Sequence, residues 1–183
     1  VEDLAGMKIR SGGGIAEEMG RALGASVFVK PAPESYELLS SGVADGVFFP
    51  SEAIVSFKLG PVIKYATLFP GGFYSSAFGF FMNEDKWNKL SKADQDAITS
   101  VSGEALARLA GRSWDAADRA GIEEMKKVGI RIDEASPDLI KGVRERTKTL
   151  EDKWIKAAAA KGIDSPKVLA EFRAEVARLA AGK

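Results

Sequence analysis

A short apolar run, Met7-Lys-Ile-Arg10, ends in an arginine and a cluster of three glycines at 12–14, and a helical pattern begins at Ile15. This stretch limits the possible folds more than any other. The helical pattern covers 15–23 and stops at Gly24, and a second apolar strand follows at 26–30 with Val27, Phe28 and Val29. Strand, glycine turn, helix and strand make a β-α-β unit. Its crossover is expected to be right-handed and its strands parallel, as in an open α/β sheet. The turn at 11–14 then falls at the strand-to-helix end where such sheets bind small molecules.

Arg10 is the candidate ligand anchor. Only Arg10 and Arg21 occur in the first 90 residues, and Arg21 falls on the polar side of the helix, where a surface role is expected. Arg10 closes a strand and faces a turn without side chains. One reading of it is a structural salt bridge to an acid such as Glu34. The other is a planar guanidinium forking two hydrogen bonds onto a ligand carboxylate, which lysine cannot do. A phosphate loop fails on spacing: with Glu at position 17, Gly12, Gly13 and Gly14 do not complete G-x-G-x-x-G, and no Walker motif follows. Glu17 and Glu18 suit the positive end of the helix dipole and would repel a phosphate.

Composition removes several functions. Lysine plus arginine equals aspartate plus glutamate at 26 each, mixed along the chain, so no basic face is offered to nucleic acid or anionic lipid. A small or neutral partner fits better. With no cysteine and no histidine there is no disulfide, no usual zinc site, no cysteine nucleophile and no serine–histidine triad. No cofactor, catalytic residue or metal ligand is implied, and no paired carboxylates stand at a recognisable catalytic spacing. No run reaches the roughly 20 apolar residues of a membrane span. The opening Val-Glu-Asp-Leu is not a signal peptide, so any export signal is expected to be gone or not included. At 183 residues, 45% apolar and 28% charged, the chain suits one large domain or two small lobes.

A second helical unit begins at Pro33, with Tyr36, Leu38 and Leu39 as its buried side and Gly42 as its stop. Residues 43–50 give a turn at Asp45-Gly46, a short apolar strand and a helix starting at Ser51. Two extended stretches, 62–69 and 76–82, are joined by Pro70-Gly-Gly-Phe73-Tyr74, an aromatic turn. Phe69, Phe73 and Tyr74 either pack beneath that loop or line a small-molecule site. Ser91 and Asp94 form a capping box, and a helical pattern runs from there toward Gly129. Unbroken, it would be roughly 55 Å long, against roughly 40 Å for the breadth of a compact chain of this length. Gly103, Gly111 and Gly121 are possible kinks, but the simpler expectation is a backbone helix serving a two-lobed body. A strand at 129–132 and helices at 137–161 after Ser136 and 166–181 after Ser165 finish the chain.

In order and spacing, these segments resemble the second half of a DctP-type solute-binding protein of a tripartite ATP-independent periplasmic (TRAP) transporter. The likeness is carried by Leu4-Ala-Gly-Met-Lys-Ile-Arg10, Leu23-Gly-Ala25, Glu34-Ser-Tyr36 before Leu38-Leu39, Gly42-Val-Ala-Asp-Gly46, and Phe81-Met-Asn83 before Trp87. The resemblance implies an α/β, periplasmic binding protein type II-like lobe with parallel β-α-β units, a long helix and C-terminal helices, and a first lobe preceding residue 1. Residues 1–75 would be the ligand-binding lobe. Residues 76–183 would be a hinge strand, spanning helix and C-terminal helices completing the first lobe. It implies a periplasmic receptor capturing a small organic acid, with Arg10 on its carboxylate and hinge closure of two lobes, in partnership with transporter membrane subunits.

Two departures change the expected ligand. Many members have Gln-Glu-Asn before the proline, where this chain has Val47-Phe48-Phe49, and Thr-Asn-His after the next strand, where it has Phe69-Pro-Gly71. An apolar or aromatic acid is therefore expected, against Arg10, Phe48, Phe49, Phe73 and Tyr74. The alternatives are the effector-binding domain of a transcription regulator, or an enzyme of unknown type. Alone, the chain is expected to bind its acid weakly and to self-associate, by exchange of the long helix or the C-terminal helices.

Overall fold

The structure, a computed structural model, describes residues 1–181. β1 (Lys8–Ser11) leads through the glycine turn into α1 (Ile15–Ala22) and β2 (Ser26–Val29). A 3-10 turn (Ala32–Glu34) carrying Pro33 opens α2 (Ser35–Ser40), and β3 (Gly46–Val47) follows. These strands form a parallel sheet of order β2-β1-β3, with Ile9 opposite both Val27 and Gly46 and Arg10 opposite Phe28 and Val47. α1 stops because Gly24 adopts a left-handed φ of +88°. That geometry returns the Ala25 N–H to the Gly20 carbonyl at 3.0 Å, satisfying a carbonyl the helix end would otherwise orphan.

The chain continues through α3 (Ala53–Ser56), β4 (Tyr65–Leu68), α4 (Glu84–Trp87), α5 (Lys92–Ser100), α6 (Gly103–Lys127), β5 (Arg131–Glu134), α7 (Pro137–Ala159) and α8 (Ser165–Ala181). β4 and β5 make a second parallel pair, Tyr65 opposite Arg131. Three apolar clusters hold the lobe. Ile9, Ala25 and Val27 lie beneath the sheet with Met7 and Phe48. Met19, Leu23 and Val143 join α1 to α7, with Phe69, Phe73 and Tyr74 at their edge. Ala53, Ile54, Leu59, Met125 and Ile130 tie α3 and the end of α6 to β5, with Phe49 and Phe57 against them.

The structure differs from the sequence reading at several points. Tyr36 is exposed, and Ser35 takes the buried place on α2. The apolar strand at 43–50 pairs only over Gly46–Val47, and the helix expected at Ser51 starts as a turn before Ala53. Residues 76–82 form no ladder, and Phe78, Phe80 and Phe81 are exposed. The long helical pattern is broken at Val101-Ser102. There the Ser102 hydroxyl donates to the Ile98 carbonyl at 2.6 Å, replacing the backbone N–H of a continuing helix, and Gly103 turns to a φ of +56°. At 25 residues, α6 is about 37 Å long. The strand after Gly129 pairs at Arg131–Glu134, two residues later than the pattern suggested. Ser91 and Ser136 do cap α5 and α7, accepting from the N–H of Asp94 and Leu139. Ser165 does not cap α8; fully buried, it donates to the Ile155 carbonyl at 2.9 Å, and Asp164 accepts the Lys167 N–H.

Candidate functional site

Because β1 and β3 are parallel, their carboxyl ends deliver Arg10 and the Phe48-Phe49-Pro50 segment to the same sheet edge. Tyr74, in the loop after β4, reaches that edge too, its hydroxyl donating to the Phe48 carbonyl at 3.4 Å. Arg10 is 2% exposed. Its Nε and Nη2 both donate to the Lys30 carbonyl, at 2.9 and 2.5 Å. Its guanidinium lies over the Phe49 ring, 4.4 Å from the centroid. The ring face supplies negative quadrupole to the cation. Phe49 in turn stacks on Phe57 at 5.4 Å and 14°, so the support beneath Arg10 reaches into the core.

This arrangement leaves one edge of the guanidinium free. Of its five N–H donors, the Lys30 carbonyl takes those on the Nε side, and among the described residues no protein acceptor takes the Nη1 edge. A Cβ on Gly12 would stand 4.0 Å from Nη2, so a larger side chain there would cover the group. The Glu34 salt bridge is not formed. Glu34 instead pairs with Lys30 at 3.7 Å, and Arg10 feels it only at a distance. Burial pushes Arg10 below its ordinary pKa, partly offset by the charges of Tyr74 and Glu34, and burial pushes the Tyr74 phenol up, partly offset by Arg10. An arginine so far from neutrality stays cationic.

The five candidate residues divide into two sets. Arg10, Phe49 and Tyr74 meet at the sheet edge. Phe48 turns to the other face, where it covers Gly20; a Cβ there would come within 2.9 Å of its ring. Phe73 packs on Phe48 at 5.0 Å and on Phe69 at 4.8 Å, within the α1–α7 cluster. All four aromatic candidates nevertheless border a cavity of about 620 Å³ between the sheet and β4, although Arg10 is not on its wall. Sequence reasoning missed the Lys30 carbonyl. A backbone acceptor carries no residue-type signal, and only the parallel register places it beside Arg10.

The DctP family model, described as bacterial extracellular solute-binding protein, family 7, matches residues 1–157. The chain belongs to this family. DctP proteins are solute-binding receptors rather than enzymes. The structure is similar to that of a TRAP periplasmic solute-binding protein from Bordetella bronchiseptica with bound (R)- and (S)-mandelate. The TM-score is 0.88 and the identity 52%, over 97% of this chain and 56% of that one. It is also similar to a marine metagenome TRAP protein specific for aromatic acid ligands, in complex with 3-hydroxybenzoate. There the TM-score is 0.81 and the identity 34%, over 90% and 52% of the two chains. Among curated proteins, the outer membrane transporter protein TsaT of Comamonas testosteroni is 28% identical over 178 residues, 97% of this chain and 52% of that protein. The chain spans about half the length of the relatives it matches. Among the described residues, no helix is long and apolar enough to cross a membrane.

Proposed function

We propose that this DctP chain supplies the carboxylate-holding lobe of a periplasmic receptor that captures an organic acid with an aromatic body for a TRAP transporter. The observation that carries the reading is Arg10, a buried cation seated on Phe49 and a backbone carbonyl, with no protein acceptor among the described residues on its outer N–H edge. A carboxylate approaching in the guanidinium plane meets two parallel donors. The ligand's body then extends from that edge toward the aromatic rim at Tyr74. The mandelate and hydroxybenzoate carried by similar proteins are acids of this shape. Membership of a solute-receptor family favours capture over an effector domain or an enzyme. Residues 1–75 act as this lobe together with the end of α6, β5 and α7, which pack on it, and the rest of 76–181 carries the connection to the opposite wall.

Calorimetry with mandelate, benzoate and succinate tests the proposal on a protein in which both cleft walls are present. Wild type is expected to bind the aromatic acids more tightly than succinate. Arg10→Ala should weaken mandelate about 30-fold or more, since truncating one partner of a desolvated charge pair costs about 2 to 5 kcal/mol. Arg10→Lys should restore little, because an ammonium cannot fork. Unchanged mandelate affinity in Arg10→Ala would reject Arg10 as anchor, and preference for succinate would reject the aromatic body.

A further inference from the structure

A second concavity, of about 1250 Å³, lies at the opposite end of β4 and β5 from Phe69. Tyr65 and Arg131 open those two parallel strands, and the Arg131 N–H donates to the Lys64 carbonyl at 3.0 Å, so the floor is built from strand starts rather than strand ends. Its walls are apolar and exposed: Tyr65 is 71% accessible and Val55 50%, with Tyr36 and Val128 beside them. Three cations line it, Lys58, Lys64 and Arg131, against one carboxylate, Glu124. Glu124 is already engaged by Lys127, and Arg131 is shared with Asp133. Among the described residues, Lys58 and Lys64 have no ion-pair partner.

Lys58 is also where glycine would be easier. The stops after α1, α2, α6 and α7 use Gly24, Gly42, Gly129 and Gly162, with φ between +73° and +88°. After α3 the same left-handed turn is made by Lys58 at +53°, which among the described residues is the one residue other than glycine with positive φ. A Cβ is strained in that conformation. That strained turn puts Lys58 on the wall of the groove.

We propose that this groove docks an extended, acidic segment of a partner protein that carries apolar side chains. Its volume exceeds the roughly 300 to 1,000 Å³ of small-molecule pockets, and its open walls suit a passing chain. The two unpaired ammonium groups answer acidic side chains, and Tyr65, Val55 and Val128 answer the apolar ones. The groove is separate from the Arg10 edge and does not depend on it.

Fluorescence anisotropy tests the docking with a labelled peptide alternating glutamate with leucine and phenylalanine, beside the same peptide with lysine for glutamate. The acidic probe is expected to bind and the basic one not to. Lys58→Gly and Lys64→Gln should each weaken the acidic probe about fivefold, and the binding should fall with added salt. Lys58→Gly should raise the melting temperature at the same time, which separates lost charge from lost fold. It should leave mandelate binding unchanged, whereas Arg10→Ala should leave peptide binding unchanged. No binding of the acidic probe at millimolar concentration, equal binding of both probes, or unchanged affinity in Lys58→Gly would overturn the proposal. Displacement of the probe by an equal concentration of free glutamate would assign the groove to a small anion and overturn it too.

Discussion

Two glycines inside α6, Gly111 and Gly121, respond to the same substitution with opposite sign. On helix propensity alone, glycine to alanine stabilises by about 1 kcal/mol at either. At Gly111 nothing lies within 4 Å of the added Cβ, so Gly111→Ala is expected to realise that gain. At Gly121 the Cβ would stand 2.1 Å from the Ser51 carbonyl oxygen, 2.5 Å from its carbon and 2.9 Å from Glu52 N. All three are backbone atoms of the turn into α3, which cannot swing aside as a side chain can. Relief requires α6 and α3 to separate by about 1 Å, and overpacking of this kind costs about 1 to 3 kcal/mol. The separation also breaks the 2.9 Å bond from the Glu52 N–H to Asp118, one turn away on the same face of α6. A hydrogen bond to a charged group is worth about 1.5 to 3 kcal/mol. After the propensity gain, Gly121→Ala should lose about 1.5 to 5 kcal/mol. With a urea m-value of about 2 kcal/mol/M, its midpoint falls by about 1 to 2.5 M while that of Gly111→Ala rises. If Gly121→Ala proves as stable as Gly111→Ala, the close seat of α6 on α3 is wrong.

Burial holds the Tyr74 phenol above its ordinary value of 10.0. Its stabilising neutral form is therefore fully favoured below about pH 10 and is lost as pH rises through the folded pKa. Urea midpoints between about pH 8 and 11 should fall more for wild type than for Tyr74→Phe, and parallel curves would refute the burial of that hydroxyl. Phe78, Phe80 and Phe81 are 77%, 91% and 91% exposed, so the chain alone is proposed to self-associate and to bind mandelate weakly. Light scattering should show mass rising with concentration, and a concentration-independent monomer with tight mandelate binding would contradict this.

What was legible in the sequence was local. Gly24 requires a left-handed turn whatever packs around it, and Ser91 with Asp94 closes its cap within four residues, so α1 and the start of α5 could be read directly. Tyr36 misled because periodicity marks an apolar stripe without saying what covers it, and here the buried place goes to Ser35. The break between α5 and α6 depends on one hydroxyl, Ser102, competing with its own backbone N–H for the Ile98 carbonyl, and helical periodicity is blind to that choice. β3 shrinks to two residues because pairing needs a partner strand, and β1 has already reached its glycines.

The site itself was legible in residue type but not in orientation. Phe48 and Phe49 are neighbours leaving a strand, so their side chains point to opposite faces. One covers Gly20 and the other supports Arg10. That division decides what the two aromatic replacements can do. Phe48 fills the space between sheet and helix, where a polar residue would need its own partner. Phe49 stands where the family pattern has the asparagine, so a polar side chain gives way to a π face beneath Arg10. A π face and a single carbonyl hold the guanidinium in a dry setting and compensate its charge only in part, which is why burial lowers its pKa. Under the proposed function, the desolvation cost of the cation is met in folding rather than in binding. An arriving carboxylate then completes a pair whose other half is already positioned, as preorganisation requires.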